Sequence, residues 1–152
     1  MAAAINTPVI MTDVHDMDFG NIAPRGNSGT VVMSPGANAQ CNTTGGVIHT
    51  GTCRAATFEG KVTFLFGLRV TGPTGNQINL SGPGGATMRL DNFTFGSGPG
   101  MLDFGVAGGS HRFWILNLDG SYTIHAGGTL HVAANQTPGV YTGTFDIRLN
   151  YD

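Results

Sequence analysis

The sequence predicts an all-β fold, and three observations carry this prediction. Glycine accounts for 25 of the 152 residues, and threonine and asparagine are also frequent, a composition that suits strands and tight turns better than helices. Turn-forming residues recur about every ten positions, a spacing typical of a β-sandwich or barrel. No segment shows the periodicity of an amphipathic helix. We therefore expect a single β-sandwich domain with no internal repeat.

The stretch from Gly139 to Asp152 predicts a strand of about a dozen residues, longer than most strands. Polar and apolar residues alternate along it, so one face is buried and the other is solvated. Because the stretch ends the chain, we expect one edge of this strand to lack a partner in the same chain. An exposed edge of this kind promotes aggregation unless another segment pairs with it. The apolar face is formed by Tyr141, Phe145, Ile147, Leu149 and Tyr151.

Residues 3–12 predict a second extended segment, an arm that precedes the body of the domain. Ile5, Val9 and Met11 fall on one face of this arm. Pro8 removes one backbone donor, which an edge or inserted strand tolerates and a central strand does not.

The remaining strands are predicted between these two segments, and each is bounded by turn-forming residues. Between Leu90 and Phe93 the apolar register slips by one residue, which predicts a β-bulge. Residues 24–29 are expected to form a turn and residues 36–46 a loop. The predicted strands cover 17–20, 29–34, 47–53, 61–70, 77–80, 87–95, 101–105, 112–118, 121–124 and 129–133.

The two cysteines, Cys41 and Cys53, predict a disulfide that closes a loop of about a dozen residues and contributes about 3 kcal/mol to stability. Two buried free thiols are the alternative. Two thiols alone make a poor zinc site, and no CxxC pair is present. A disulfide indicates an oxidising compartment, and no apolar run is long enough to span a membrane.

Composition and spacing argue against an enzyme and against a protein that binds nucleic acid or membrane. Charged residues form only 11% of the chain and the formal net charge is −2, so no basic field attracts phosphates. The five histidines show no metal-ligand spacing and are expected at the surface. Asp13, Asp16 and Asp18 offer carboxylates for calcium, but solvated loop acids are favoured. No nucleophile, base and orienting group can be assembled, so we expect no catalytic residue, metal or cofactor.

Three aromatic residues raise an alternative function. Phe113, Trp114 and Tyr122 offer rings on which a sugar could stack, although core positions are favoured because Trp114 is the single tryptophan. The alternative function is a secreted carbohydrate-binding adhesin or lectin-like surface module.

Four motifs resemble a family of secreted bacterial proteins. They are MDFGNI at Met17–Ile22, GTVV at Gly29–Val32, GGTLHV at Gly127–Val132 and GVYTGTFDIRLNY at Gly139–Tyr151. Over nearly its whole length the chain resembles a pilin-like family with a domain of unknown function, related to spore coat protein U and to the archaic chaperone–usher pilins. Tyr151 resembles the aromatic residue that these pilins carry next to last.

The resemblance implies an incomplete immunoglobulin-like sandwich that is completed by donor-strand exchange. Residues 1–12 would be the donor arm, anchored by Ile5, Val9 and Met11, and residues 13–152 the pilin domain. The apolar face of the final strand would line the acceptor groove of the next subunit, a form of β-augmentation. The arm pairing within its own subunit is the alternative.

The same resemblance implies a role and a location. The product would be a homopolymer, a fimbrium involved in cell adhesion that reaches the bacterial surface through the periplasm. A periplasmic chaperone and an outer-membrane usher are the candidate partners that follow.

Overall fold

The computed structural model describes residues 10–62 and 67–151, and these ranges contain β-strands, two short 3-10 turns and no α-helix. The prediction of an all-β fold is therefore confirmed. The 3-10 turns lie at Thr74–Asn76 and Pro83–Gly85. In chain order the strands are β1 (Ile10–His15), β2 (Asn21–Met33), β3 (Cys41–Thr50), β4 (Ala56–Lys61), β5 (Gly67–Thr71), β6 (Gln77–Ser81), β7 (Thr87–Ser97), β8 (Met101–Ala107), β9 (Ser110–Ile115), β10 (Ser121–Val132) and β11 (Arg148–Tyr151).

The strands form two antiparallel sheets. The four-stranded sheet has the order β11-β5-β9-β8. In the seven-stranded sheet the order is β1-β4-β10-β2-β3, while β7 pairs with β10 and β6 pairs with β7. Two strands share one side of β10, because its residues 121–126 pair with β4 and its residues 128–132 pair with β2. β7 pairs along the other side of β10, so β10 is the central strand of the larger sheet.

The core lies between the two sheets. β10 contributes the most to it, since nearly every residue from Tyr122 to Val132 is buried or half-buried. The four-stranded sheet contributes alternate residues of β5 and β9, as expected of strands with one face inward. The largest fully buried side chains are Tyr122, Phe113, Met33, Leu68, Ile115, Ile124, Val31, Val70 and Val132.

The strand predicted over 61–70 is divided between the two sheets. β4 ends at Lys61 in the seven-stranded sheet, and β5 begins at Gly67 in the four-stranded sheet. The amide of Val62 donates to the carbonyl of Gly120 at 2.9 Å, which holds the chain where it leaves β4. Alternation shows that a segment is extended but not which sheet each half joins, so the sequence could not reveal the crossing.

The predicted turn over 24–29 is a bulge within β2. Pro24 pairs with Val47 and Gly29 pairs with Gly45, so β2 carries extra residues between these two positions. The predicted loop over 36–46 is wrong from Cys41 onward, where β3 begins. The start of β3 is rich in Thr and Asn and shows no apolar alternation. Cross-strand hydrogen bonds to β2, and not apolar packing, hold it in the sheet.

The bulge predicted in β7 is confirmed. The register against β10 shifts between Gly127 and Thr129, and Asn92 takes the left-handed backbone conformation with φ of 50°. Leu90 and Phe93 are both buried despite their odd spacing. The bulge therefore turns both halves of β7 toward the same core.

Candidate functional site

The C-terminal segment is extended, but only its ends are paired. Thr142 exchanges two backbone hydrogen bonds with Ser81 at the edge of the seven-stranded sheet, at 2.7 and 3.0 Å. β11 then pairs with β5 at the edge of the four-stranded sheet. Within the described residues, no backbone ladder pairs with residues 143–147. The single strand predicted over 139–152 is therefore a segment that crosses from one sheet to the other.

The predicted alternation of this segment holds across the crossing. Tyr141, Phe145, Ile147 and Leu149 are half-buried and pack against the core, while the intervening residues are exposed. Tyr151 pairs through its backbone with Leu68. β11 forms one end of the four-stranded sheet, so the described part of the chain leaves its outer edge without a strand.

A large apolar groove of about 1140 Å³ opens beside the segment. Residues 13–24 form one wall and residues 136–145 form the other. The floor is the inner face of the seven-stranded sheet, at the part that the four-stranded sheet does not cover. It includes Phe58, Ile78, Leu80, Met88, Leu90 and Leu130.

Two contacts hold the C-terminal wall in place. The ring of Phe145 lies 4.9 Å from that of Phe93 and 6.5 Å from that of Phe58, measured between centroids. The hydroxyl of Tyr141 donates to the carbonyl of Thr137 at 2.6 Å and accepts from the side-chain amide of Gln136 at 2.9 Å. Side chains thus fix the wall at both ends, and among the described residues the backbone of residues 143 and 144 between them has no ladder partner.

Residues 143–147, which have no ladder partner in the described part of the chain, define what the groove can bind. An extended backbone with no ladder partner offers N–H and C=O groups in a regular row. A neighbouring apolar floor offers pockets for alternate side chains. An added strand uses both features at once, which is the physical basis of β-augmentation.

The opposite wall is acidic but shows no built cation site. Asp13, Asp16 and Asp18 are all exposed, and an oxygen of Asp18 accepts from the amide of Gly20 at 2.8 Å. Desolvation raises the pKa of Asp13, and the carboxylate of Asp16 adds to the rise. All three carboxylates are exposed to solvent, as the sequence favoured, but Asp13 lies in strand β1 and not in a loop.

The predicted donor arm is described only at its end. Ile5 and Val9 lie outside the described residues, and Met11 belongs to β1. Its backbone pairs with Gly60 of β4 in the same chain. Residues 10–15 therefore pair within their own subunit, against β4 and not against the final strand, while the donor role of residues 1–12 stays a prediction.

The predicted disulfide between Cys41 and Cys53 is present, with 6.0 Å between the Cα atoms. It ties the start of β3 to the residues that precede β4. Sequence reasoning missed a neighbour, His49, which shares a cluster with both cysteines. Only the folding of the β2–β3 ribbon brings it there, so no spacing in the sequence could have shown it.

Two expectations about side-chain location need correction. His125 was expected at the surface but is buried, and its Nδ1 lies 3.0 Å from the hydroxyl oxygen of Thr57. The core prediction is right for Phe113 and Tyr122 and wrong for Trp114, which is 42% exposed. Trp114 faces outward because Phe113 and Ile115 on either side of it point into the core.

The fold and the groove together define the class of protein: a disulfide-bonded β-sandwich with an open apolar groove beside an extended stretch, residues 143–147, that no other described residue pairs with. No helix in the described ranges is long and apolar enough to cross a membrane. The chain belongs to the family described as Domain of unknown function (DUF4402), whose model matches residues 9–151. No curated protein and no solved structure matches the sequence significantly.

Proposed function

We propose that this protein is a structural subunit, or pilin, of a bacterial extracellular filament. The subunits would polymerise head to tail, the N-terminal arm of one copy entering the groove of the next. The observation that carries the proposal is the backbone of residues 143–147, which has no ladder partner in ranges 10–62 and 67–151 and lies beside an open apolar groove. A disulfide is compatible with the extracytoplasmic location that a filament subunit needs.

The length of the arm suits the groove. Residues 1–9 precede β1, and a fully extended segment of that length spans roughly 30 Å. The groove wall formed by residues 136–145 has ten residues, close to the nine of that segment. Ile5 and Val9 are the anchors that reach the groove while β1 stays paired, whereas Met11 takes part only if the first residues of β1 separate from β4.

Anchors and backbone would act together in the joint. Each buried aliphatic anchor contributes about 1.5–3 kcal/mol from removal of apolar surface from water. The backbone hydrogen bonds to residues 143–147 add direction and register. Because the arm and the groove are different surfaces of the subunit, the contact is heterologous and extends into an open filament.

Deletion of residues 1–9 tests the proposal, because it removes the arm and leaves every residue of β1 in place. We expect the truncated protein to stay monomeric by light scattering and electron microscopy while the full chain forms fibres. A synthetic peptide of residues 1–12 should bind in the groove of the truncated protein. The truncated protein should then no longer accept the arm exposed at the end of a fibre, and so should no longer cap fibres. The matched control, Asn6→Ala in the full chain, should leave polymerisation intact, because neighbouring side chains of an extended arm point to opposite faces and the alternation therefore assigns Asn6 to the face opposite Ile5. Fibres formed by the truncated protein would disprove the proposed joint.

A lectin-like adhesin is the second candidate, and one observation favours it. Trp114 and Phe104 are exposed on the outer face of the four-stranded sheet, with ring centroids 6.4 Å apart. Exposed aromatic faces at this spacing suit a sugar ring. A glycan-binding screen of wild type and Trp114→Ala separates the candidates, since sugar binding lost in the variant supports an adhesin and no binding supports a purely structural subunit.

A further inference from the structure

One wall of the apolar groove is acidic. Asp13, Asp16 and Asp18 all line the groove from the wall formed by residues 13–24. The opposite wall, residues 136–145, contains no charged residue, and the floor is apolar. Within the described ranges, no ion pair joins any of the three carboxylates to a cation. An occupant of the groove therefore meets charge on one side only.

Asp13 holds an inward position of strand β1. Its register partner on β4 is Phe58, which belongs to the groove floor, and directly opposite residues of paired strands share a face of the sheet. β1 is the outer strand of the described part of its sheet. An inward-pointing charge on such a strand discourages pairing with further strands. Asp13 thus places a carboxylate at the rim of the apolar floor.

Partial burial already disfavours the charged form of Asp13. Desolvation raises the pKa of Asp13 above its usual value, the carboxylate of Asp16 adds to the rise, and the charge of His15 lowers the pKa in part. Further loss of water at this wall would raise the pKa of Asp13 again, because burial disfavours a carboxylate.

The other charged groups near β1 do not neutralise the wall. Arg54 approaches from the segment before β4, where its Nε donates to the backbone carbonyl of Asp16 at 3.3 Å and not to a carboxylate. Glu59 and Lys61 of β4 alternate with Phe58 along the strand and so belong to the outer face of the sheet. The acidic wall thus has no counter-charge on its own side of the sheet among the described residues.

The arm that would enter the groove brings no counter-charge either. Residues 1–12 contain no Asp, Glu, Lys, Arg or His, so no side chain of the arm can form an ion pair with the wall. An uncharged strand that fills the groove displaces water from the carboxylates and offers no charge in its place. Protonation removes most of this penalty, because a neutral carboxyl group costs far less to desolvate than a carboxylate.

We propose that entry of the arm is linked to the uptake of a proton by the Asp13–Asp16 pair, so that joints between subunits form more readily in acid than at neutral pH. The proton comes from solvent and returns to it when the arm leaves. This inference rests on the proposed function, because it takes the arm as the occupant of the groove. It gives the acidic wall a role in assembly that the apolar anchors do not have.

The sign follows from linkage. The state that binds more protons is favoured as the pH falls, and the occupied groove is that state because loss of water raises the pKa of its carboxyl groups. The gain in affinity is complete below the pKa of the free pair. It is lost as the pH rises through the higher pKa of the occupied pair.

Fibre growth of the full chain at several pH values tests the proposal. We expect the critical concentration, measured by sedimentation, to be several-fold lower at pH 5 than at pH 7, since one proton accounts for at most about ten-fold per pH unit. Asp13→Asn should lower the critical concentration at pH 7 and flatten its pH dependence. Glu59→Gln is the matched control, because it removes the same charge from the same pair of strands on the face away from the groove. It should keep the wild-type profile.

Two further variants cover a poorly folded Asp13→Asn and a contribution from histidine. Asp16→Asn should have the same effect as Asp13→Asn, and His15→Gln should keep the pH dependence, with circular dichroism to show that each variant is folded at both pH values. Equal critical concentrations of wild type at pH 5 and pH 7, or a profile that both Asp variants leave unchanged, would overturn the inference and leave the filament role intact. Absence of fibres at every pH would overturn the proposed function itself.

Discussion

Phe145 of the C-terminal segment packs against Phe93 of the β7 bulge, with 4.9 Å between the ring centroids. This contact joins the two irregular features of the sandwich. The bulge turns Phe93 inward, and the segment reaches it without a backbone ladder of its own. A side chain therefore holds the segment beside the groove, and no described residue forms a backbone ladder with residues 143–147.

Truncation of this side chain should destabilise the domain moderately. Phe145→Ala removes a half-buried ring, so we expect a loss of about 2 kcal/mol, less than the ~3–5 kcal/mol of a fully buried phenylalanine. Thr144→Ala, an exposed neighbour on the same segment, should change stability by less than about 0.5 kcal/mol. Urea unfolding of both variants measures the difference. Equal urea midpoints for Phe145→Ala and Thr144→Ala would mean that the Phe145 ring does not hold the segment.

Removal of a backbone donor should separate folding from assembly. Thr144→Pro deletes one N–H of the unpaired stretch, where no hydrogen bond within the described chain depends on it. We expect near wild-type thermal stability but markedly slower fibre growth, because an added strand loses part of its ladder. Thr144→Ala keeps the N–H and is the control for loss of the side chain. Growth rates by light scattering that match in the two variants would argue against pairing at this position.

Two glycines with the same backbone angle should respond differently to alanine. Gly120 and Gly75 both have φ of 75°, so each substitution carries the left-handed cost of about 1–2 kcal/mol. A Cβ at Gly120 would in addition overlap the carbonyl oxygen of Val62, whereas at Gly75 the nearest atom beyond the adjoining residues, Cγ of Gln77, is 4.0 Å away. Thermal unfolding should therefore show a clearly larger loss for Gly120→Ala. Similar losses would show that the turn relaxes away from β4.

Burial of His125 should make stability depend on pH. Burial lowers the pKa of His125 below its usual value, and nearby Glu59 only partly opposes this. Below the unfolded pKa of about 6.5, the unfolded chain binds a proton that the folded chain resists, so stability falls as the pH drops from 7 toward 5. His125→Gln removes this contribution.

The comparison of two pH values supplies its own control. The free energy of unfolding lost through His125→Gln should be smaller at pH 5 than at pH 7, because the wild type alone carries the proton-linked penalty at pH 5. Chemical denaturation at both values measures it. A constant difference between the two proteins would show that His125 does not titrate against folding.

The features that follow local chemistry were predictable from residue order. Alternation identified the extended C-terminal segment and its half-buried face, because successive side chains of an extended chain point to opposite sides. The slipped register between Leu90 and Phe93 identified the bulge for the same reason. Glycine-rich turns and the absence of helical periodicity identified the all-β class.

The features that depend on pairing partners were decided only by the tertiary structure. Alternation cannot show which sheet a segment joins. The sequence therefore revealed neither the change of sheet after Lys61 nor that residues 143–147 lack a ladder partner among the described strands. The outward position of Trp114 depends on which neighbours point inward. His49 lies near Cys41 and Cys53 only in the folded chain, where the disulfide joins the two cysteines. Residue order determined the local periodicity of each strand. Contacts between distant segments determined the groove and the proximity of His49 to the cysteines, since only folding brings these parts together.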